Sequence, residues 1–208
     1  MTKANEHFWW TTLIRGFVAL VAGSAVLVLP EMARTLLLLP FAMAISILGL
    51  AVYGIIDSVL VFVSSYMMVP GTSRIALRMQ GVVGALVGSL MYWVFFDRVR
   101  LHWFLVLIAL QSLSTAVAEF IVGRHSTTHA TSYWNLTAAG VALVFSGVYL
   151  YVVLALQEQM DPEQITWLIY GYLVAFGIAQ CLTASRMIYA GHHRVGPPDT
   201  KSASPQGA

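Results

Sequence analysis

Apolar positions in this chain gather into six long blocks separated by short polar stretches: Thr11–Leu29, Leu36–Val63, Met79–Phe96, Leu101–Val122, Tyr133–Leu156 and Thr166–Tyr189. Each block is apolar all round rather than striped with charge, the pattern of helices packed on one another in lipid. A hydrocarbon layer of about 30 Å needs roughly 20 residues of helix, and every block is close to that or longer. A barrel would show ten-residue alternating segments, and none is visible. The second block is over-long and carries Pro40 near its start, which predicts a kink or a tilted course there. The first block follows Lys3 as a signal sequence would, but Arg15 interrupts it and its pattern recurs twice downstream, so it is expected to be a retained anchor.

Composition sharpens this reading. Of 208 residues, 59% are hydrophobic and 10% charged, with a mean hydropathy of +0.78, whereas soluble domains are about one-quarter charged. The net charge of +2 suggests no nucleic-acid partner. With six spans, Lys3, Arg15, Arg74, Arg78, Arg124, Arg186, Arg194 and Lys201 fall on one side, and only Arg34, Arg98 and Arg100 on the other. This excess predicts a multi-pass protein with both termini cytoplasmic. The opposite side is weakly acidic, with Glu31, Asp97, Glu158, Asp161 and Glu163. Residues 191–208, rich in Gly, Pro and Ser, are expected to form a disordered cytoplasmic tail after one transmembrane domain spanning 1–190.

The blocks repeat. The odd-numbered ones open GFVALVAGSAVLVLP, GVVGALVGSLMYWVF and GVALVFSGVYLYVVL, with glycine pairs seven apart at Gly16/Gly23, Gly81/Gly88 and Gly140/Gly147. Seven residues is nearly two helical turns, so each pair shares a face and is predicted to pack against a neighbouring helix. The even blocks place a small residue one turn before a polar one: Gly54 before Asp57, Ala116 before Glu119, Gly177 before Gln180. The fold class expected is therefore all-α: a polytopic membrane protein whose six transmembrane helices form three repeated hairpins, at about 8–66, 74–124 and 132–189. Parallel repeats of this kind suit a pseudo-threefold axis along the membrane normal.

The stretch FWWTTLIRGFVALVAGSAVLVLP, followed by a helix ending YGIIDSVLVF, resembles the short repeat of the HdeD family of acid-resistance membrane proteins. Trp9, Trp10, Arg15, Gly16, Gly23 and Pro30 fill the family's pattern of tryptophan, Arg-Gly, a glycine seven later and a proline closing the helix. AVAEFIVGR and YGYLVAFGIAQCLTASRM extend the resemblance over about residues 8–190. The chain departs at Tyr53, where the family tends to carry an acid, and at YWVFFD, which lacks the closing proline. The resemblance implies a bacterial inner-membrane protein with a part in resisting acid, and supplies no catalytic residue or solute.

Four polar residues inside the blocks are the candidate site: Arg15, Asp57, Glu119 and Gln180. Arg15 and Asp57 lie at similar depth, and an isolated intramembrane charge costs about 2.5–3.5 kcal/mol on insertion scales, so the two are expected to pair. A structural salt bridge and a proton relay both fit that pairing. Across the repeats Arg15, Gln80 and Ala139 share one place, and Asp57, Glu119 and Gln180 another. Glu119, about one turn from Arg124, is expected to reach water or to pair with Arg78 or Arg124.

Cys181 has no partner cysteine and reads as a small core residue; His125 and His129 sit in a Ser/Thr-rich loop lacking further metal ligands. No nucleophile with its base, phosphate loop or paired-carboxylate site is apparent. A non-enzymatic protein without cofactor or metal is expected, acting in acid or envelope stress. Its surroundings would be the lipid bilayer, with room for membrane or periplasmic protein partners. The alternative is a small channel or transporter for protons or a small solute, along a route lined by Ser46, Ser89, Ser112, Ser114, Thr115 and Ser146.

Overall fold

The computed structural model describes residues 9–35, 39–68, 70–97, 101–126, 129–156 and 161–193. These form six helices: α1 (Trp9–Thr35), α2 (Leu39–Met67), α3 (Thr72–Asp97), α4 (Leu101–Arg124), α5 (His129–Tyr151) and α6 (Pro162–His193). A π-helical turn at Val152–Leu156 prolongs α5. All six are long and apolar enough to cross a membrane.

Helix boundaries follow local chemistry. Asp161, Pro162 and Gln164 open α6: Pro162 takes a first-turn position where its missing N–H is no loss, and the Asp161 N–H donates to Gln164 Oε1 at 3.3 Å. Pro40 likewise lies in the first turn of α2, so no kink is required there. Helix α1 runs on through Pro30 to Thr35 instead of closing at the proline. Helix α6 continues past Gly191 to His193, so the tail expected from 191 does not begin there; residues 194–208 lie outside the described residues.

Hydroxyl side chains inside these helices bond to the carbonyl one turn back, as Ser58 Oγ does to Gly54 O at 2.6 Å and Thr183 Oγ1 to Ala179 O at 2.9 Å. Such bonds satisfy a polar group where no water is at hand.

Each helix packs on its neighbours in the chain, and α6 closes against α1, so the six make a ring. The broadest contacts join α2 to α3, α4 to α5 and α6 to α1, while α1/α2, α3/α4 and α5/α6 meet over narrower seams. The second helix of each predicted hairpin thus packs more closely on the next hairpin than on its own partner. Tyr149, Phe176, Leu105 and Leu173 are among the side chains buried in a continuous core.

The glycines show where the ring is tightest. A Cβ on Gly16 would lie 2.7 Å from Cys181 Sγ and 2.8 Å from Gly177 O, and one on Gly177 would lie 2.9 Å from Gly16 O. Helices α1 and α6 therefore touch backbone to backbone, with Cys181 against the contact. Gly23 meets Leu173, Gly81 meets Ser58 and Phe62, and Gly88 meets Ala51 and Ile55.

Gly140 and Gly147 differ: both are exposed, with open space where a Cβ would be. The expected packing role fails at these two because the glycine spacing misplaces α5 by one residue. Besides Thr11 and Val87, the buried residues are Thr12, Arg15, Gly16, Ala19, Gly23 and Val26 in α1, and Leu77, Gln80, Gly81, Gly84, Gly88 and Met91 in α3. In α5, beyond Thr131 near its start, they are Asn135, Ala138, Ala139, Ala142, Ser146 and Tyr149, with the same intervals. Ala139 and Ser146 thus stand where α1 and α3 carry their glycines, and Ala138 rather than Ala139 matches Arg15. Ser146 Oγ donates to Ala109 O on α4 at 2.9 Å, closing that seam with a hydrogen bond.

A buried guanidinium–carboxylate cluster as the candidate functional site

Large apolar side chains cover the outside of this ring, and a set of polar side chains lies within its otherwise apolar core. Phe17, Val21, Val59, Ile75, Leu86, Leu143 and Leu154 face outward, whereas Arg15, Asp57, Gln80, Glu119, Asn135 and Gln180 are each at most 4% exposed.

Arg15 on α1 is the centre of the buried polar groups. Its Nε donates to Asp57 Oδ1 on α2 at 2.8 Å, and its Nη1 donates to Glu119 Oε1 on α4 at 2.8 Å. A longer bond of 3.5 Å joins Nη2 to Asp57 Oδ2, so both Asp57 oxygens lie along one edge of the fork. Gln180 Nε2 on α6 donates to the same Glu119 Oε1 at 2.8 Å. The Phe176 ring of α6 lies under the guanidinium, 5.7 Å from Cζ to its centroid.

One arginine thus gathers a polar group from each even-numbered helix. The pairing of Arg15 with Asp57 and the common setting of Asp57, Glu119 and Gln180 were legible in the sequence. The reading of Glu119 was not correct: it is 4% exposed, away from the surface, and bonds to Arg15 and Gln180 rather than to Arg78 or Arg124. Arg124 instead stacks on Phe120, 5.4 Å from Cζ to centroid, and Arg78 on Tyr66 at 4.9 Å. Proximity along one helix misled because the faces diverge: Phe120 turns outward while Glu119 turns to the ring centre.

The odd helices fill equivalent space with side chains of decreasing size: Arg15, Gln80 and Ala138. Gln80 Nε2 reaches Thr115 Oγ1 on α4 at 3.2 Å, one turn before Glu119. A single guanidinium at the centre satisfies both carboxylates; a second would bring repulsion and a further desolvation cost. With one cation against two carboxylates, the cluster carries a formal charge of −1 when both acids are ionised. Among the described residues no three His, Cys, Asp or Glu side chains converge as a metal would need.

Beside the cluster lies a cavity of about 30 Å³ bounded by α2, α3, α4 and α6, with Tyr53, Gly54, Gly88, Gln111, Ser112 and Tyr172 in its wall. Gln111 Oε1 and Ser112 Oγ are buried without a protein hydrogen-bond partner. The wall of the space is nearly all apolar, the lining of a dry cavity rather than of a water site. Nothing in the sequence pattern marked this cavity, whose wall is drawn from four separate helices. The hydroxyls proposed to line a route do not form one file: Ser89 is exposed and bonds to Ala85 O, and Ser146 is committed to Ala109 O. The side chain of Ser46 lies outside the described residues.

Comparisons with family models, with curated proteins and with solved structures return no match to this chain, so the cluster is interpreted from its own geometry.

Proposed function

We propose that this is a multi-pass inner-membrane protein of three repeated hairpins that contributes without catalysis to acid or envelope stress tolerance, as its resemblance to the HdeD family implies. The buried cluster acts as the lock that joins the hairpins. The observation carrying this reading is the closure of the cluster: Arg15, Asp57, Glu119 and Gln180 bond to one another at 1–4% exposure. A conducting path needs polar groups at successive depths facing water, whereas these meet at one point.

The second reading, a narrow path for protons or a small solute, draws on the cavity with its two unpartnered oxygens next to the cluster. The variant Arg15→Gln/Asp57→Asn/Glu119→Gln separates the two, because it removes all three charges without stranding one. Under the lock reading the variant, once shown to reach the membrane, retains most of the acid survival of its host. Loss of survival together with loss of pH-driven flux in liposomes would establish the path.

Both termini are proposed to be cytoplasmic. Arg15 leaves that argument because it is buried, but the remaining Lys and Arg residues keep the same bias. On a Cys181→Ser background, cysteines placed at 71–73 should resist external labelling while those at 161–164 react; the opposite pattern would invert the topology.

A further inference from the structure

We propose that Arg74, Arg78 and Tyr66 form a docking site for a phosphate-bearing anion, the headgroup of an anionic phospholipid. The site lies where α2 ends and α3 begins. Arg74 and Arg78 are one turn apart on α3, so they share a face. Both stack on one ring: their Cζ atoms lie 5.8 and 4.9 Å from the centroid of Tyr66. Tyr66 is braced in turn by an edge contact with Phe62, at 5.4 Å and 75°. Two positive charges are therefore held side by side on a broad helix seam.

Neither charge meets a carboxylate among the described residues. Both ion pairs among the described residues belong to Arg15, and the Nε atoms of Arg74 and Arg78 are buried without a hydrogen-bond partner. The first turn of α3 carries no acid, and its free N–H groups add positive potential beside the arginines. Planar guanidinium forks held a turn apart match the oxygens of a phosphate better than a single carboxylate.

The surroundings select a lipid over a soluble phosphate. Ile75 and Met79, next to the two arginines on α3, are exposed at 63% and 59%, and Tyr66 at 59%. A ligand with a phosphate for the arginines and an acyl chain for these apolar neighbours satisfies both halves of the surface. Basic pockets between spans on the cytoplasmic side take anionic headgroups in this way. The inference rests on the membrane reading above.

The test measures thermal unfolding of the purified full chain in detergent with added phosphatidylglycerol, phosphatidylcholine or inorganic phosphate. Phosphatidylglycerol should raise the midpoint, phosphatidylcholine and phosphate should not, and Arg74→Gln/Arg78→Gln should lose the increment. Equal effects of the two lipids, an increment kept by the double variant, or its full reproduction by phosphate would overturn the proposal. Should that variant fold poorly, Arg74→Lys/Arg78→Lys keeps the charge and loses the fork, and should co-purify with less phosphatidylglycerol than the parent; equal retention would overturn it. Resistance of the parent chain to alkaline extraction from membranes is scored separately, so failure of the membrane reading is told apart from failure of the site.

Discussion

Replacing Arg15 with Gln is expected to be the most damaging single change at the cluster. The substitution leaves Asp57 and Glu119 buried with no cation between them, and breaking a buried pair by removing one partner costs about 3–5 kcal/mol. Here one arginine serves two carboxylates, so the loss should reach the upper part of that range. The measurement is unfolding in detergent together with yield in the membrane fraction. Arg15→Lys should fall between, because an ammonium keeps the charge but cannot bridge Asp57 and Glu119 as the fork does at 2.8 Å to each. Adding Asp57→Asn and Glu119→Gln to Arg15→Gln should recover much of the loss, since no charge is then stranded. Strictly additive losses, or a stable Arg15→Gln protein, would show that the cluster does not hold the ring together.

Enlarging Gly16 comes second. The atoms facing a new Cβ at Gly16 include Gly177 O at 2.8 Å and Cys181 N at 2.9 Å. Both belong to the backbone of α6, and so cannot turn aside as a side chain would. Gly16→Ala should force α1 and α6 apart at about 1–3 kcal/mol, and Gly16→Leu should cost more. The strain falls next to Arg15, so the cluster should loosen with the seam. Gly140→Ala and Gly147→Ala provide the contrast. Both sites are open, and replacing a helical glycine by alanine there should be neutral or favourable by up to about 1 kcal/mol. A like response to alanine at all three positions would contradict the packing described above. The readout is the unfolding midpoint of each variant in the same detergent.

The contrast among these glycines shows how far the amino-acid pattern reached. Apolar blocks alone marked six helices, because a run of about 20 apolar residues has few other uses. Their ends were less legible. Helix α3 begins at Thr72, one and a half turns or more before the block at Met79, because a helix continues past the apolar run as long as its backbone bonds can be made. The glycine repeat identified the close contacts of α1 and α3 but misassigned α5. There Ala139 and Ser146 do the same work at the neighbouring positions, and small residues other than glycine also permit close approach.

The sequence by itself determined the class of helix, the apolar exterior, and the identity of the polar residues that had to find partners inside. A charge among apolar residues demands a counter-charge wherever water is scarce, and only Asp57 and Glu119 were at hand within the blocks to meet Arg15. What only the tertiary structure decided is which of them it meets and how. Closure of α6 on α1, and the order of the helices around the ring, turn Asp57, Glu119 and Gln180 toward one point from three separate helices. No local spacing encodes that meeting, since Arg15 and Glu119 lie 104 residues apart and are brought together by the packing of all the intervening helices.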